Sequence, residues 1–351
     1  MTGKSNLPER EQAVRRGTDF LYGFASDPKN FAQWGSDLLN WLYIISSRAR
    51  SAQLRRQALA VGRERARQWR LDHTELPRDA RADTIYDFIY GSDMADRMGI
   101  RDRALKAQLR AAVRRFPPGE YLSFNPAAEP PPVDVPEHCA CGEWNARGRK
   151  TCRSCRKRLK MISRYQVWYV ALIRTYIAYG SGLTLGASYR QVLKWLPSMR
   201  PYRSSLVPSD PDFYDTVYAV THVVYTLNDY DLYHLSPAWL PDEYEFLRAN
   251  LKEAIAMDDP EMVGEFLDTL KSFGLGNNHT LIRVGTEYLL SRQNAEGSWG
   301  RTNTRDTYRN YHPTLCAVCG LLDYSWRGQG LSYPKLKPSL LKWAKLSSLW
   351  L

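Results

Sequence analysis

Apolar residues recur every three or four positions through most of this chain, and that period restricts it to a helical fold. Leu38, Leu39, Trp41, Leu42 and Ile45 make one such stripe within Glu9 to Phe116, where proline is sparse before Pro77. The rhythm resumes after Lys160 in MISRYQVWYVALIRTYIAYG, PDFYDTVYAVTHVVYTLND, PEMVGEFLDTLKSFG and YHPTLCAVCGLLDYSW, with Pro, Gly and Asp turns between segments. Strand-like alternation of useful length is missing. The expectation is an all-α protein of successive helical hairpins, for which 351 residues at 44% apolar supply a sizeable core.

Between the helical parts, residues 117–136 read PPGEYLSFNPAAEPPPVDVP, a sequence that predicts an extended connector. It leads to Cys139, Cys141, Cys152 and Cys155. The chain therefore divides into an N-terminal helical part (1–116), the connector (117–136), a metal knuckle (137–160) and a C-terminal helical part (161–351). Four thiolates suit the closed tetrahedral shell that zinc takes when it serves structure. Cys152 and Cys155 form a CxxC pair, whereas Cys139 and Cys141 are CxC; His138, with the more usual gap to Cys141, is an alternative ligand to Cys139. Cysteines crowded among basic side chains read as metal ligands in a reducing compartment rather than as a disulfide framework.

An internal echo suggests how the helices are arranged. RGTDFL at 16–21, followed by Gln33, Trp34 and Gly35, matches VGTEYL at 284–289, followed by Ser298, Trp299 and Gly300. Two copies near opposite ends suggest hairpins closed into a ring. In the later copy, Gly285, Tyr288, Leu289, Gln293, Gly297 and Trp299 stand in an order that resembles the glutamine–tryptophan repeat of the squalene-cyclase and protein-prenyltransferase superfamily. Members of that superfamily fold as α/α toroids, so the resemblance implies one toroid split by the knuckle, with the glutamine capping backbone groups and stacking on the indole. RDTYRNYHPTLCAVCGLL further resembles the last zinc-ligand region of prenyltransferase β subunits, with His312 at the matching position. The family's earlier aspartate–cysteine ligand pair is not reproduced: Asp215 is present, but Val217 stands where the thiolate would be. Asn228, Asp229 and Asp231 only approximate the DxDD signature of class II terpene cyclases. The knuckle, with Asn145 four positions after Cys141, is similar to zinc fingers of the Ran-binding type, which bind single-stranded RNA or ubiquitin.

Four of the six histidines, His222, His234, His279 and His312, fall in the C-terminal part. His222 and Asp229 are seven residues apart and share a helix face, with Asp231 and His234 just beyond. His222, His312 and either Asp215 or Asp229 could hold a second zinc or an iron with a position open to substrate. In this expectation Asp215 or Asp229 completes the shell or acts as a base, and His234 is a ligand or proton carrier. The bland alternative makes His222 a satisfied core histidine, the aspartates helix ends, and Cys316 and Cys319 small core residues. AspAspProGlu at 258–261 reads as a solvated helix start.

Of the formal charge of +12, +11 falls up to Lys160, where 30 basic residues face 19 acidic ones. Arg147, Arg149, Lys150, Arg153, Arg156, Lys157, Arg158 and Lys160 have no acidic residue among them, which suits phosphate contacts, and Trp144 could stack on a base. The longest apolar stretch, Tyr165 to Leu185, is broken by Arg174 and glycines, and MTGKSNLPEREQ lacks a signal-peptide core; no membrane span and a cytoplasmic address are expected. The leading functional expectation is a metal-dependent enzyme acting on a small, largely apolar molecule, isoprenoid or natural product, in an aromatic cavity supplied by 22 tyrosines and 11 tryptophans. The alternatives are a zinc-finger adaptor for RNA or an acidic protein, and a divergent prenyltransferase.

Overall fold

The first helical part comprises α1 (Leu7–Ser26), α2 (Pro28–Arg48), α3 (Ala52–Asp72), α4 (Ala82–Arg97) and α5 (Arg103–Ala112). Side chains placed just ahead of three of them accept the first unpaired amides. Asp27 accepts from Lys29 and Asn30, Ser51 from Leu54, and Asp102 from Leu105. Our computed structural model describes residues 7–202 and 211–347.

The connector differs from the extended segment expected, because it opens with a short helix, α6 (Pro118–Leu122). Proline is tolerated in a first helical turn, where its missing N–H has no partner to lose, and buried Tyr121 and Leu122 anchor that turn. Beyond the knuckle follow α7 (Arg164–Gly180), α8 (Tyr189–Leu193), α9 (Leu196–Met199), α10 (Pro211–Asn228), α11 (Pro241–Ala256), α12 (Pro260–Ser272), α13 (Thr280–Arg292), α14 (Thr307–Leu321) and α15 (Lys337–Ser347). Among the described residues the protein is all-helical, with isolated bridges in place of strands. None of these helices is long and apolar enough to cross a membrane.

Six helices pack in sequence: α2 on α4, α4 on α7, α7 on α10, α10 on α12, and α12 on α14. Helix α14 then meets α2 again, where Trp34 stacks near Tyr308 and Tyr311 at 5.4 and 5.7 Å and its indole N–H donates to Thr307. The α12–α14 contact is the closest. A methyl group on Gly264 would lie 2.5 Å from the backbone of Cys316, and one on Gly320 would lie 2.6 Å from the Gly264 carbonyl. Small residues at these positions let the two backbones touch, and buried Lys271 of α12 donates to the Gly320 and Leu322 carbonyls at the end of α14.

The two copies of the sequence echo meet in space but are not built alike. Trp299 is fully buried, donates to the Leu289 carbonyl at 2.7 Å, and lies against Gly17. Gln293 donates to the carbonyls of Gly297 and Ala13, so the later copy closes over α1. Gly297, at φ 101, faces the Arg16 carbonyl, a place that needs both a left-handed backbone and no side chain. Trp34, by contrast, sits inside α2 at a kink.

Candidate functional site

The knuckle is held by few apolar side chains: Cys139, Cys152 and Leu159, with Cys155 and Met161 packed against them. So small a cluster does not stabilise a fold by itself. Its sulfurs converge instead. Cys139 lies 3.4 Å from both Cys141 and Cys155, and Cys141 lies 3.6 Å from Cys152. Four thiolates around zinc, at bonds of about 2.3 Å, stand about 3.8 Å apart, so a small expansion seats the ion. The cysteines are free thiols and can hold a metal such as zinc. The set is complete without His138. Asn145 braces it, accepting from the Arg153 amide at 2.9 Å.

The phosphate-binding reading of the knuckle is corrected at several residues. Arg147 pairs with Glu129 and Asp134, Arg153 with Glu143, and Lys160 with Glu137. Those acids lie on neighbouring segments that only folding brings close. Trp144 has the Arg81 guanidinium 5.4 Å from its ring and lines a cleft of about 310 Å³ between knuckle and α7.

That cleft shares Gln166, Val170 and Arg174 with a larger cavity of about 630 Å³, onto which all six consecutively packed helices face. Seven tyrosines line it: Tyr86 and Tyr90 from α4, Tyr169 from α7, Tyr218 and Tyr225 from α10, Tyr230 just beyond, and Tyr308 from α14. Acidic residues also face it, namely Asp37, Asp87, Asp215, Asp231, Glu265 and Asp268. The lining's arginine, Arg174, is engaged with Asp83 at 3.1 Å and with the Tyr121 carbonyl.

His312 carries the best-defined chemistry. Its Nδ1 lies 2.9 Å from Glu261, and Tyr218 donates to the same carboxylate at 2.5 Å. Burial opposes a charged imidazole, but Glu261, by charge and hydrogen bond, outweighs it and holds the His312 pKa above its ordinary value. The reciprocal effect holds Glu261 below the usual range despite burial. With Nδ1–H committed to Glu261, Nε2 is the nitrogen left for a bound molecule. One turn on, Cys316 lies 3.6 Å from the ring, and burial keeps its thiol protonated. Glu265 accepts from Thr221 at 2.6 Å, and burial pushes its pKa up to about 8, so it is a carboxylic acid at neutral pH. Asp37, with Tyr311 donating at 3.3 Å, is likewise raised by burial.

The other expected site residues divide. His222 and Asp215 line the cavity. His222 lies 2.8 Å from the Tyr218 carbonyl through Nδ1, and burial lowers its pKa to about 4, so it is neutral. Asp229 is turned away: it pairs with Arg48 at 3.1 Å and accepts from Tyr176. His234 is remote, stacking on Trp326 at 4.3 Å. The helix face that His222 and Asp229 share ends at Asn228, because Asp229, Tyr230 and Asp231 adopt left-handed conformations at φ 58, 46 and 67. Among the described residues, the one group of three or more His, Cys, Asp or Glu ligand atoms near enough to share an ion is the four cysteines. The expected second ligand set therefore does not assemble there.

Glu261, Glu265 and Asp268 were missed. Their spacing of four and three residues places them on one face of a helix whose other positions are mostly apolar, and that was the available signal. Asp259 caps α12 as a helix start should, yet Glu261 turns inward rather than to solvent. No protein-family model, curated protein or solved structure matches this chain.

Proposed function

We propose that this chain is an α/α-toroid enzyme that performs general acid–base chemistry on a small, largely apolar molecule. The succession of helix contacts from α2 through α14 and back supports the toroid, as does the Gln293–Trp299 turn closing on α1. The observation that carries the activity is His312, paired with Glu261 behind it and lining a tyrosine-rich cavity. In this reading His312 exchanges a proton with substrate through Nε2, Glu261 fixes its tautomer and balances the imidazolium, and neutral Glu265 is a second proton donor. The knuckle's zinc is structural. A catalytic metal on His222 and His312 has no part in the reading, because no third ligand joins the two histidines among the described residues.

The test is incubation of the purified protein with a panel of isoprenoid and aromatic natural products, with conversion followed by mass spectrometry. His312→Gln and Glu261→Gln should lower turnover about 10²–10⁴-fold, the range for loss of a general acid–base group. Conversion at the wild-type rate in His312→Gln would refute the assignment.

A further inference from the structure

The cavity lining holds a second group of polar side chains besides those around His312. Asp268, 3% exposed, has the Tyr225 and Tyr324 hydroxyls beside its carboxyl, and its Oδ1 is left without a hydrogen-bond partner. Asp231, 2% exposed, reaches the same cavity from the left-handed run at 229–231, a conformation that aspartate tolerates but that Tyr230 adopts at a cost. Strained backbone of this kind persists where the fold gains by placing a particular group. Asp231 accepts from Ser272 at 3.4 Å and from Asn228 at 3.5 Å. Trp41, in the same lining, leaves its indole N–H without a partner.

The charges there do not balance. Lys271 is the cation nearest Asp268, and its ammonium donates to the Gly320 and Leu322 carbonyls. Arg48, the next cation, is paired with Asp229. Two carboxylates therefore face one lysine, leaving one negative charge over. Tyr225 and Tyr230, stacked at 5.7 Å, border the same space with faces that attract cations.

We propose that the cavity binds the protonated amine of a substrate between Asp231 and Asp268, so that the substrate class is an aliphatic or aromatic amine. An ammonium ion gives Asp268 Oδ1 a charged donor and neutralises the leftover charge, whereas an alcohol of the same shape supplies a donor without the charge. In an empty cavity a proton takes that place, in keeping with the upward shift that burial imposes on both carboxyls. The proposal rests on reading the cavity as a substrate site.

The experiment is calorimetric titration of the full chain near pH 7 with 4-phenylbutylamine and with 4-phenylbutanol. In wild type the amine should bind at least about tenfold more tightly than the alcohol. Asp268→Asn and Asp231→Asn should abolish that preference, and asparagine, which tolerates left-handed backbone, keeps the turn intact in the second variant. Equal affinity in wild type, no amine binding at about 10 mM, or a preference that survives in Asp268→Asn would overturn the proposal. His312→Gln separates this inference from the acid–base reading. It should keep the amine preference while losing turnover, and turnover that survives it refutes the acid–base role without touching the amine site.

Discussion

Glu265→Gln removes the proton that burial holds on the cavity wall while keeping an oxygen to accept from Thr221. The wild-type carboxyl has a pKa near 8 in the native state, against an ordinary value of 4.5. Between those values the native protein holds a proton that the unfolded chain releases. Stability is therefore lost as pH rises from about 4.5 and levels off above 8. At pH 7 the unfolded group is ionised and the native one is not, so 2.5 pKa units separate pH 7 from the ordinary value of 4.5. At about 1.4 kcal/mol per unit, the penalty is on the order of 3 kcal/mol. Glutamine cannot ionise and escapes it. Urea unfolding followed by circular dichroism should give wild type and variant stabilities within about 1 kcal/mol at pH 5, and a variant more stable by about 3 kcal/mol at pH 7. A difference that stays constant across this range would show that Glu265 is not held protonated, and would remove its proposed role as a proton donor.

Cys152→Ser with Cys155→Ser should reduce the bound zinc from one ion to none by elemental analysis. Hydrogen exchange should then lose protection across 137–160 while the helices keep theirs, because the knuckle's own apolar cluster is too small to fold without metal. Gly264→Ala should destabilise the protein by about 3 kcal/mol or more, since its methyl group would meet Cys316 backbone at 2.5 Å. Gly276→Ala, with nothing within 4 Å, should lie within about 0.5 kcal/mol of wild type in the same melts.

The helical period and the four cysteines were legible because each depends on near neighbours in sequence. His312 and Asp215 do line the cavity, but His312's partner was not legible. Glu261 stands beside Asp258 and Asp259 in a run that reads as a solvated helix start, and only the packing of α12 against α14 turns it inward. Asp229 and His234 were misplaced for a related reason. Helical spacing predicts a shared face only while the helix lasts, and three left-handed residues rotate everything after Asn228. Charge counted along the chain overstates the free cations of the knuckle, because Glu129, Asp134, Glu137 and Glu143 meet Arg147, Arg153 and Lys160 in space.

By itself the sequence determined an all-helical chain with one cluster of four cysteines that could hold a metal, since periodicity and clustered thiols act over a few residues and survive in any tertiary arrangement. Tertiary structure decided which polar groups lie out of water together. Burial in a shared low-dielectric space raises Glu265, lowers His222 and sets Glu261 against His312. Those effects depend on distances between side chains of α10, α12 and α14, and no local pattern encodes them.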